Sequence, residues 1–352
     1  MKPLHMISAG AVLALASGAS SALNFNLTYT SGTSANAQAG FVAATSFWSS
    51  VFTDPVTVNL TVGLANLGSG ILGSTSSTQI DVTYNAFRTA LAADATSAND
   101  NMAVSSLNAI GSANSFNMLI NRTTDNPNGS GSATPYLDNN GSLNNSDIYL
   151  TTANAKAAGL LSANNAASDG SVRFATAFEP QFDYDRSNGI AAGQFDFLGI
   201  AIHEIGHALG FISGVDLLDF FAGQGTADQF FAVAPLDLFR YSVASTAQNA
   251  IDWTASATDK YFSLDNGQTK IASFSTGSNF GDGRQASHWK DNLGLGIMDP
   301  TFSLGELGIA TNLDRQAFDV IGWNLSAVPE TSEYAMLLAG LGLLGFIARR
   351  RK

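Results

Sequence analysis

The segment from His203 to His207 reads His-Glu-Ile-Gly-His, which places two imidazoles four residues apart with a carboxylate after the first. On an α-helix, residues i and i+4 lie on the same face, so both rings can reach one metal ion. A glutamate beside such ligands can take a proton from a metal-activated water molecule and pass it to a leaving group. The pattern predicts a zinc site with His203 and His207 as ligands and Glu204 as general base.

A third ligand is needed, because a catalytic zinc usually takes three protein ligands and keeps one position for water. The chain has four histidines and no cysteine. His5 lies in an N-terminal segment that we expect to be removed, which leaves His288 as the third histidine. Asp216 and Asp219 are nearer alternatives, although their spacing from His207 does not suit a ligand on the same site.

The helix that carries the two histidines is predicted to begin at Asp196 and to end at Leu209. Asp196 can accept hydrogen bonds from the free N–H groups of the first turn, and Gly210 suits the position after the last turn. Apolar residues occur on nearly every face between these limits, which is typical of a buried helix. Buried polar groups cost free energy unless they are paired or bind metal, so burial favours a metal site over two satisfied core histidines.

The sequence DYDRSNG before this helix has a weak likeness to a calcium-binding loop, because Asp183 and Asp185 alternate. However, Gly189 comes one position late, and Gln194 stands where a bidentate glutamate is required. A capped turn that leads into the helix is the simpler interpretation. Calcium is therefore kept only as a weakly supported second cofactor.

The residues from His203 to Gly210 resemble the motif of the metzincin zinc peptidases, which adds a histidine or aspartate ten residues after the first histidine. Ser213, a poor zinc ligand, occupies that position here. A delayed His288, followed by Met298 in the sequence GIMDP, is similar to the leishmanolysin-like branch. The resemblance implies that His288 completes the zinc site and that Met298 packs under the histidines without binding the metal.

The leishmanolysin-like resemblance covers about residues 170–325 and implies an α+β zincin fold. Expected features are a twisted sheet, an active-site helix, a long insertion over 211–287 and a C-terminal subdomain. The metalloprotease domain is predicted to span 23–328, with its core at about 147–325. The resemblance also makes DGSVRFATAF (169–178) a candidate edge strand for pairing with a peptide substrate, an ordinary sheet strand being the alternative. The lack of cysteines and of a recognisable prodomain departs from leishmanolysin.

Elements outside the motif can be placed from their patterns. Residues 23–95 alternate strand and helix signals, which predicts an α/β unit. A closing helix is predicted within 311–325, with Asn312 or Asp314 near its start and Gly322 at its end. Asp237 and Arg240 in the insertion are expected to be structural. Asp282 and Asp291 flank His288 and are expected to be solvated, although either could orient its ring.

Both ends of the chain have the features of processing signals. Residues 1–22 combine Lys2, an apolar run and small residues before a cleavage site, which predicts a secretory signal peptide. Residues 329–352 hold an apolar run too short for the usual span of about 20 residues, followed by a basic end. With its Val-Pro-Glu start, this tail resembles the PEP-CTERM sorting signal, although Thr331 replaces the usual proline. The resemblance implies a transient membrane anchor, an exosortase-type processing enzyme and the envelope or exterior of a Gram-negative bacterium.

The composition limits the function classes. A net charge of −12 disfavours nucleic acid as a partner, because nucleic-acid binding depends largely on basic residues. We expect a secreted zinc endopeptidase that acts on protein or peptide substrates. Another zinc hydrolase, or a catalytically silent surface or biofilm-matrix protein stabilised by zinc, is the alternative. A purely structural site has no use for Glu204, so the intact glutamate favours an enzyme.

Overall fold

A computed structural model describes residues 23–111, 114–222 and 232–327. The predicted signal peptide and the predicted sorting tail lie outside these described residues. The fold is mixed α+β. The helices are α1 (Ala35–Val51), α2 (Tyr84–Asp94), α3 (Ala98–Ser106), α4 (Leu143–Ser146), α5 (Thr152–Ala157), α6 (Phe197–Ala208), α7 (Val215–Phe221), α8 (Val243–Thr246) and α9 (Asn312–Asp319). The longer strands are β1 (Asn24–Tyr29), β2 (Thr57–Ala65), β3 (Gly73–Ser77), β4 (Gln79–Thr83), β5 (Met118–Ile120), β6 (Tyr136–Asp138), β7 (Asp147–Thr151) and β8 (Gly170–Ala175). Shorter strands follow as β9 (Phe182–Asp183), β10 (Phe195–Asp196), β11 (Arg240–Tyr241), β12 (Ile251–Asp252), β13 (Lys260–Phe262) and β14 (Ala272–Phe274).

The largest sheet has four strands in the order β1-β2-β8-β3. β1, β2 and β8 run parallel, and α1 connects β1 to β2, which confirms the predicted α/β unit. β3 runs antiparallel to β8 and forms one edge of the sheet. Of the two interpretations of 169–178, the ordinary sheet strand is therefore confirmed and the edge strand is wrong. β8 lies between β2 and β3, because the short segment GSTSS occupies the outer position.

The helix with the histidine motif packs against elements from the N-terminal third of the chain. The indole Nε1 of Trp48 on α1 donates a hydrogen bond to the carbonyl of Ile202 at 3.1 Å. The rings of Phe41, Phe174 and Phe197 lie 4.6–5.2 Å apart between α1, β8 and α6. α1 and three of the four strands of the largest sheet precede residue 147, and the predicted core limits of about 147–325 stay a prediction.

The insertion after α6 is tied to the rest of the molecule and does not stand apart. Its strand β12 pairs in parallel with β5, and β11, β13 and β14 form a small antiparallel sheet. Arg240 is buried and donates hydrogen bonds to the carbonyls of Ser275 and Ala286. Asp237 is also buried and accepts from the indole of Trp253 at 2.9 Å. The structural role expected for Asp237 and Arg240 is confirmed.

The caps of α6 agree with the sequence prediction. Asp196 Oδ1 accepts a hydrogen bond from the Gly199 N–H at 3.0 Å, and its Oδ2 accepts from the Gly308 N–H at 3.0 Å. The helix ends at Ala208 with Leu209 as its C-cap, and Gly210 follows with a φ of 118°. That left-handed conformation favours glycine and turns the chain away from the helix.

The aspartates of the loop before α6 are occupied by backbone groups. Asp183 accepts from the N–H groups of Asp185 and Ala191, and Asp185 accepts from the N–H and hydroxyl of Ser187. Gly189 ends a short 3-10 turn with a φ of 87°. These contacts fit the capped turn, and the structure supplies no geometry that favours calcium there.

Candidate metal centre

Three imidazoles converge at the middle of α6. The Nε2 atoms of His203 and His207 lie 3.1 Å apart, and that of His288 lies 3.2 Å from His207 and 3.3 Å from His203. The helix supplies the first two rings from one face, as the four-residue spacing predicts. The third ring arrives from the irregular segment that follows β14. Within the described ranges, this trio is the group of residues arranged to hold a metal ion.

The spacing of the three Nε2 atoms fits a tetrahedral zinc. Two ligands at 2.0–2.1 Å from zinc that subtend a tetrahedral angle are about 3.3 Å apart. The three observed separations lie at or slightly below this value. A tetrahedral ion held by three imidazoles keeps a fourth position, which is the arrangement of catalytic zinc sites.

Each ring is oriented by a backbone carbonyl on its other nitrogen. The Nδ1–H of His203 donates to the carbonyl of Ile297 at 2.8 Å, and that of His207 donates to Phe211 at 2.7 Å. The Nδ1–H of His288 donates to Gln285 at 3.3 Å. A proton held at Nδ1 leaves Nε2 with a free lone pair, so all three rings present a metal-binding nitrogen to the same point.

Burial keeps the imidazoles neutral. It lowers the pKa of His203 to about 3 and that of His207 to about 4, and the pKa of His288 also falls well below its ordinary value. Desolvation is the main cause for each ring, with repulsion from its neighbours adding to it for His203 and His288. Neutral imidazoles bind metal without first losing a proton at neutral pH.

Glu204 lies beside the trio and contacts the edge strand β3. The hydroxyl of Thr75 lies 2.7 Å from its Oε2 and 2.7 Å from its main-chain oxygen. Burial raises the pKa of the carboxyl to about 7, while the Thr75 hydroxyl opposes that rise. The Thr75 hydroxyl thus holds Oε2 in place, whereas Oε1 accepts no hydrogen bond from the described part of the chain.

The acidic residues considered as alternative ligands have another role. Asp216 accepts from the N–H groups of Ala286 and Ser287 at 2.6 and 3.1 Å. Asp219 accepts from the N–H groups of Asn279 and Phe280, at 2.7 and 2.8 Å. Both carboxylates on α7 therefore fix the segment that brings His288 to the helix.

The remaining candidates near the third histidine do not touch its ring. The hydroxyl of Ser213 donates to Asp237 at 2.6 Å. Asp282 pairs with Lys290, and Asp291 pairs with Arg284, each at 2.9 Å. The carbonyl of Gln285 orients His288 instead, so the alternative in which Asp282 or Asp291 orients the ring is not supported.

Met298 lies under the helix at the level of the histidines. A Cβ added to Gly206 would be 2.7 Å from its sulfur, so the thioether packs directly against that glycine. Asp314 fixes the turn before it by accepting from the N–H of Ile297 at 2.9 Å and the indole of Trp289 at 2.9 Å. α9 begins at Asn312, with Thr311 as its cap, and thereby presents Asp314 to this turn.

A cleft of about 750 Å³ opens over the three rings. β3 forms one wall, and residues 284–288 and 300–302 contribute to the rest. Sequence reasoning missed Gly73 and Thr75 on the β3 wall. The segment GSTSS carries no hydrophobic alternation, and its contact with Glu204 depends on residues far apart in the chain.

Comparison with known families identifies the tail. A family model for the PEP-CTERM protein-sorting motif matches residues 328–352. This signal indicates export to the envelope or surface of a Gram-negative bacterium and recognition by an exosortase-type processing enzyme. The chain matches no curated protein and no solved structure. The likeness to leishmanolysin-type metzincins therefore stays a prediction. Across residues 23–111, 114–222 and 232–327, none of the helices has the length and hydrophobicity to span a bilayer.

Proposed function

We propose that this exported protein is a zinc-dependent endopeptidase. The observation that carries the proposal is the convergence of three Nε2 atoms within 3.3 Å of one another, beside a carboxylate and inside an open cleft. A structural zinc site is usually closed by four protein ligands, whereas three ligands facing a cleft leave room for water and substrate. His203, His207 and His288 would hold the metal.

The protein's own groups divide the chemical work. Zinc, when bound, acidifies a water molecule and polarises the carbonyl of the scissile bond. Glu204 would take the proton of the attacking water on Oε1, the oxygen that Thr75 leaves free, and would then deliver it to the departing amine. The three backbone carbonyls keep the imidazole protons at Nδ1, and metal binding would occupy each Nε2, so the rings would not compete for this proton.

The edge strand β3 supplies a binding site for the peptide backbone. An edge strand presents unpaired N–H and C=O groups, to which an extended peptide can add as a further strand. An antiparallel peptide would run with its C-terminal part toward the start of β3. The cleft lining includes Leu72, Ile200 and Phe302, so an apolar residue is expected beside the scissile bond.

The proposal is tested with Glu204→Gln in the purified protein. The variant should bind zinc as the wild type does, while hydrolysis of casein or a quenched fluorescent peptide falls by about 10²- to 10⁴-fold. Metal content and initial rates are measured together, with and without a chelator. Glu179→Gln, outside the cleft lining, is the matched control and should keep full activity.

Two outcomes would contradict the proposal. If the zinc-loaded wild type hydrolyses no peptide, the alternative of a silent, zinc-stabilised surface or matrix protein gains support. If Glu204→Gln also loses its zinc, the carboxylate is a metal ligand and the division of roles is wrong.

A further inference from the structure

The contact between β3 and Glu204 is more specific than packing requires. Thr75 Oγ1 lies 2.7 Å from the carboxylate Oε2 and 2.7 Å from the carbonyl oxygen of the same residue. A hydroxyl has one proton, so it donates to only one of these acceptors at a time. An ionised carboxylate is the stronger acceptor. The hydroxyl therefore holds Oε2 of the Glu204 carboxylate, with the carbonyl oxygen as its alternative acceptor.

Gly73 completes the contact from the same strand. Residues 73 and 75 lie on one face of β3, because side chains alternate along a strand. A Cβ added at Gly73 would be 2.7 Å from Oε1 and 2.9 Å from Cγ of Glu204. The missing side chain at residue 73 leaves space for the carboxylate, while the hydroxyl at residue 75 fixes its rotation.

We propose that β3 positions the general base, with Thr75 as the positioning residue that directs Oε1 of Glu204 toward the attacking water. The inference rests on the proposed peptidase function. It adds that one strand sets both the register of a paired peptide and the orientation of the base. Substrate backbone and carboxylate are thereby aligned to each other without a separate orienting residue on the helix.

A purely structural role makes different predictions. If Thr75 only anchored β3 to α6 through the Glu204 carbonyl, its loss would lower stability and disturb peptide binding whether or not the carboxylate were present. If it acts through the carboxylate, its loss lowers kcat in the wild type and has little effect once the carboxylate is gone. A double-mutant cycle separates these cases.

The experiment compares Thr75→Val, Thr75→Ser, Glu204→Gln and the Thr75→Val, Glu204→Gln double variant in the zinc-loaded protein. Thr75→Val should lower kcat by about ten- to a hundredfold, the range for a hydrogen bond to a charged group, with KM and zinc content unchanged. Thr75→Ser should recover most of the activity. In the Glu204→Gln background, Thr75→Val should change the residual rate less than about twofold, since coupled effects do not add. Thr61→Val, the same exchange in β2, is the control and should behave as the wild type.

Each other result overturns the inference. Full activity in Thr75→Val means that the hydroxyl does not position the base. Loss of zinc, a raised KM or equal losses in both backgrounds means that Thr75 is structural. If the wild type is active and Thr75→Val is normal, only this inference fails, whereas an inactive wild type removes the peptidase proposal together with it.

Discussion

His203 and His207 come from one regular helix of 12 residues, whereas His288 comes from an irregular segment between β14 and α9. The helical pair is aligned by the repeat of the helix itself, so its geometry is local. The third ring depends on contacts from distant parts of the chain. Its supporting carboxylates come from Asp216 and Asp219 on α7 and from Asp314 on α9.

The difference shows two ways to place a ligand. A regular helix fixes the position of a side chain through its own backbone hydrogen bonds, so few residues elsewhere in the chain are needed to hold it. An irregular segment must satisfy its backbone N–H groups otherwise, and here aspartates on α7 and α9 accept them. Some of the acidic residues of the protein therefore hold the backbone of this segment in place, while others lie on the solvated surface.

Removing the imidazole of His288, which the irregular segment carries, is expected to have the largest effect on zinc affinity. His288→Ala should weaken zinc binding by more than about a hundredfold, the upper end for residues that only support a ligand. A competition titration against a chromophoric chelator measures the affinity. Ser213→Ala should stay close to the wild type, because its hydroxyl contacts Asp237. Zinc retained by His288→Ala but lost from Ser213→Ala would reverse the assignment.

Loosening the support of His288, without touching the ring, should have an intermediate effect. Asp216→Asn replaces one carboxylate oxygen by an NH₂ group, so a backbone N–H of Ala286 or Ser287 loses its acceptor. Zinc affinity should fall by about tenfold, the lower end for supporting residues. Asp185→Asn, in the exposed turn before α6, is the control for the charge change. Equal zinc affinities in the two variants would show that the segment carrying His288 needs no such support.

The smallest effect on zinc affinity is expected from a change at the contact between α6 and Met298. Gly206→Ala would place a Cβ 2.7 Å from the sulfur of Met298, whereas Gly193→Ala meets nothing within 4 Å. Overpacking of this kind costs about 1–3 kcal/mol of folding free energy. Urea unfolding of the zinc-free proteins should show that loss for Gly206→Ala alone. The zinc affinity should change less than in Asp216→Asn, because the helix itself aligns its histidines. A stable Gly206→Ala would mean that Met298 does not support the helix.

The difference between the regular helix and the irregular segment also decides how much of the site the sequence could predict. The limits and caps of α6 follow from local signals at Asp196 and Gly210, and the structure confirms them. His288 was found by counting the available histidines, and the structure brings it to the other two. Its role as a zinc ligand stays a prediction, as does the peptidase activity.

The sheet edge could not be predicted in the same way. Strand order depends on pairings between distant segments, and β8 looked no different from an edge strand in the sequence. Asp216 and Asp219 are alternative ligands from their nearness to His207 in the sequence, yet both accept hydrogen bonds from backbone N–H groups. A side chain that serves the main chain of a remote loop leaves no periodic signal in the sequence.

The position of Asp314 in the chain has a consequence for the order in which the site is assembled. A ribosome makes the protein from its N-terminus, so α9 is the last helix of the described residues to be synthesised. Until Asp314 is present, the turn at Ile297 and Met298 lacks its acceptor, and His203 lacks a fixed partner for its Nδ1 proton. We therefore expect the site of a nascent chain to stay incomplete until α9 has been synthesised.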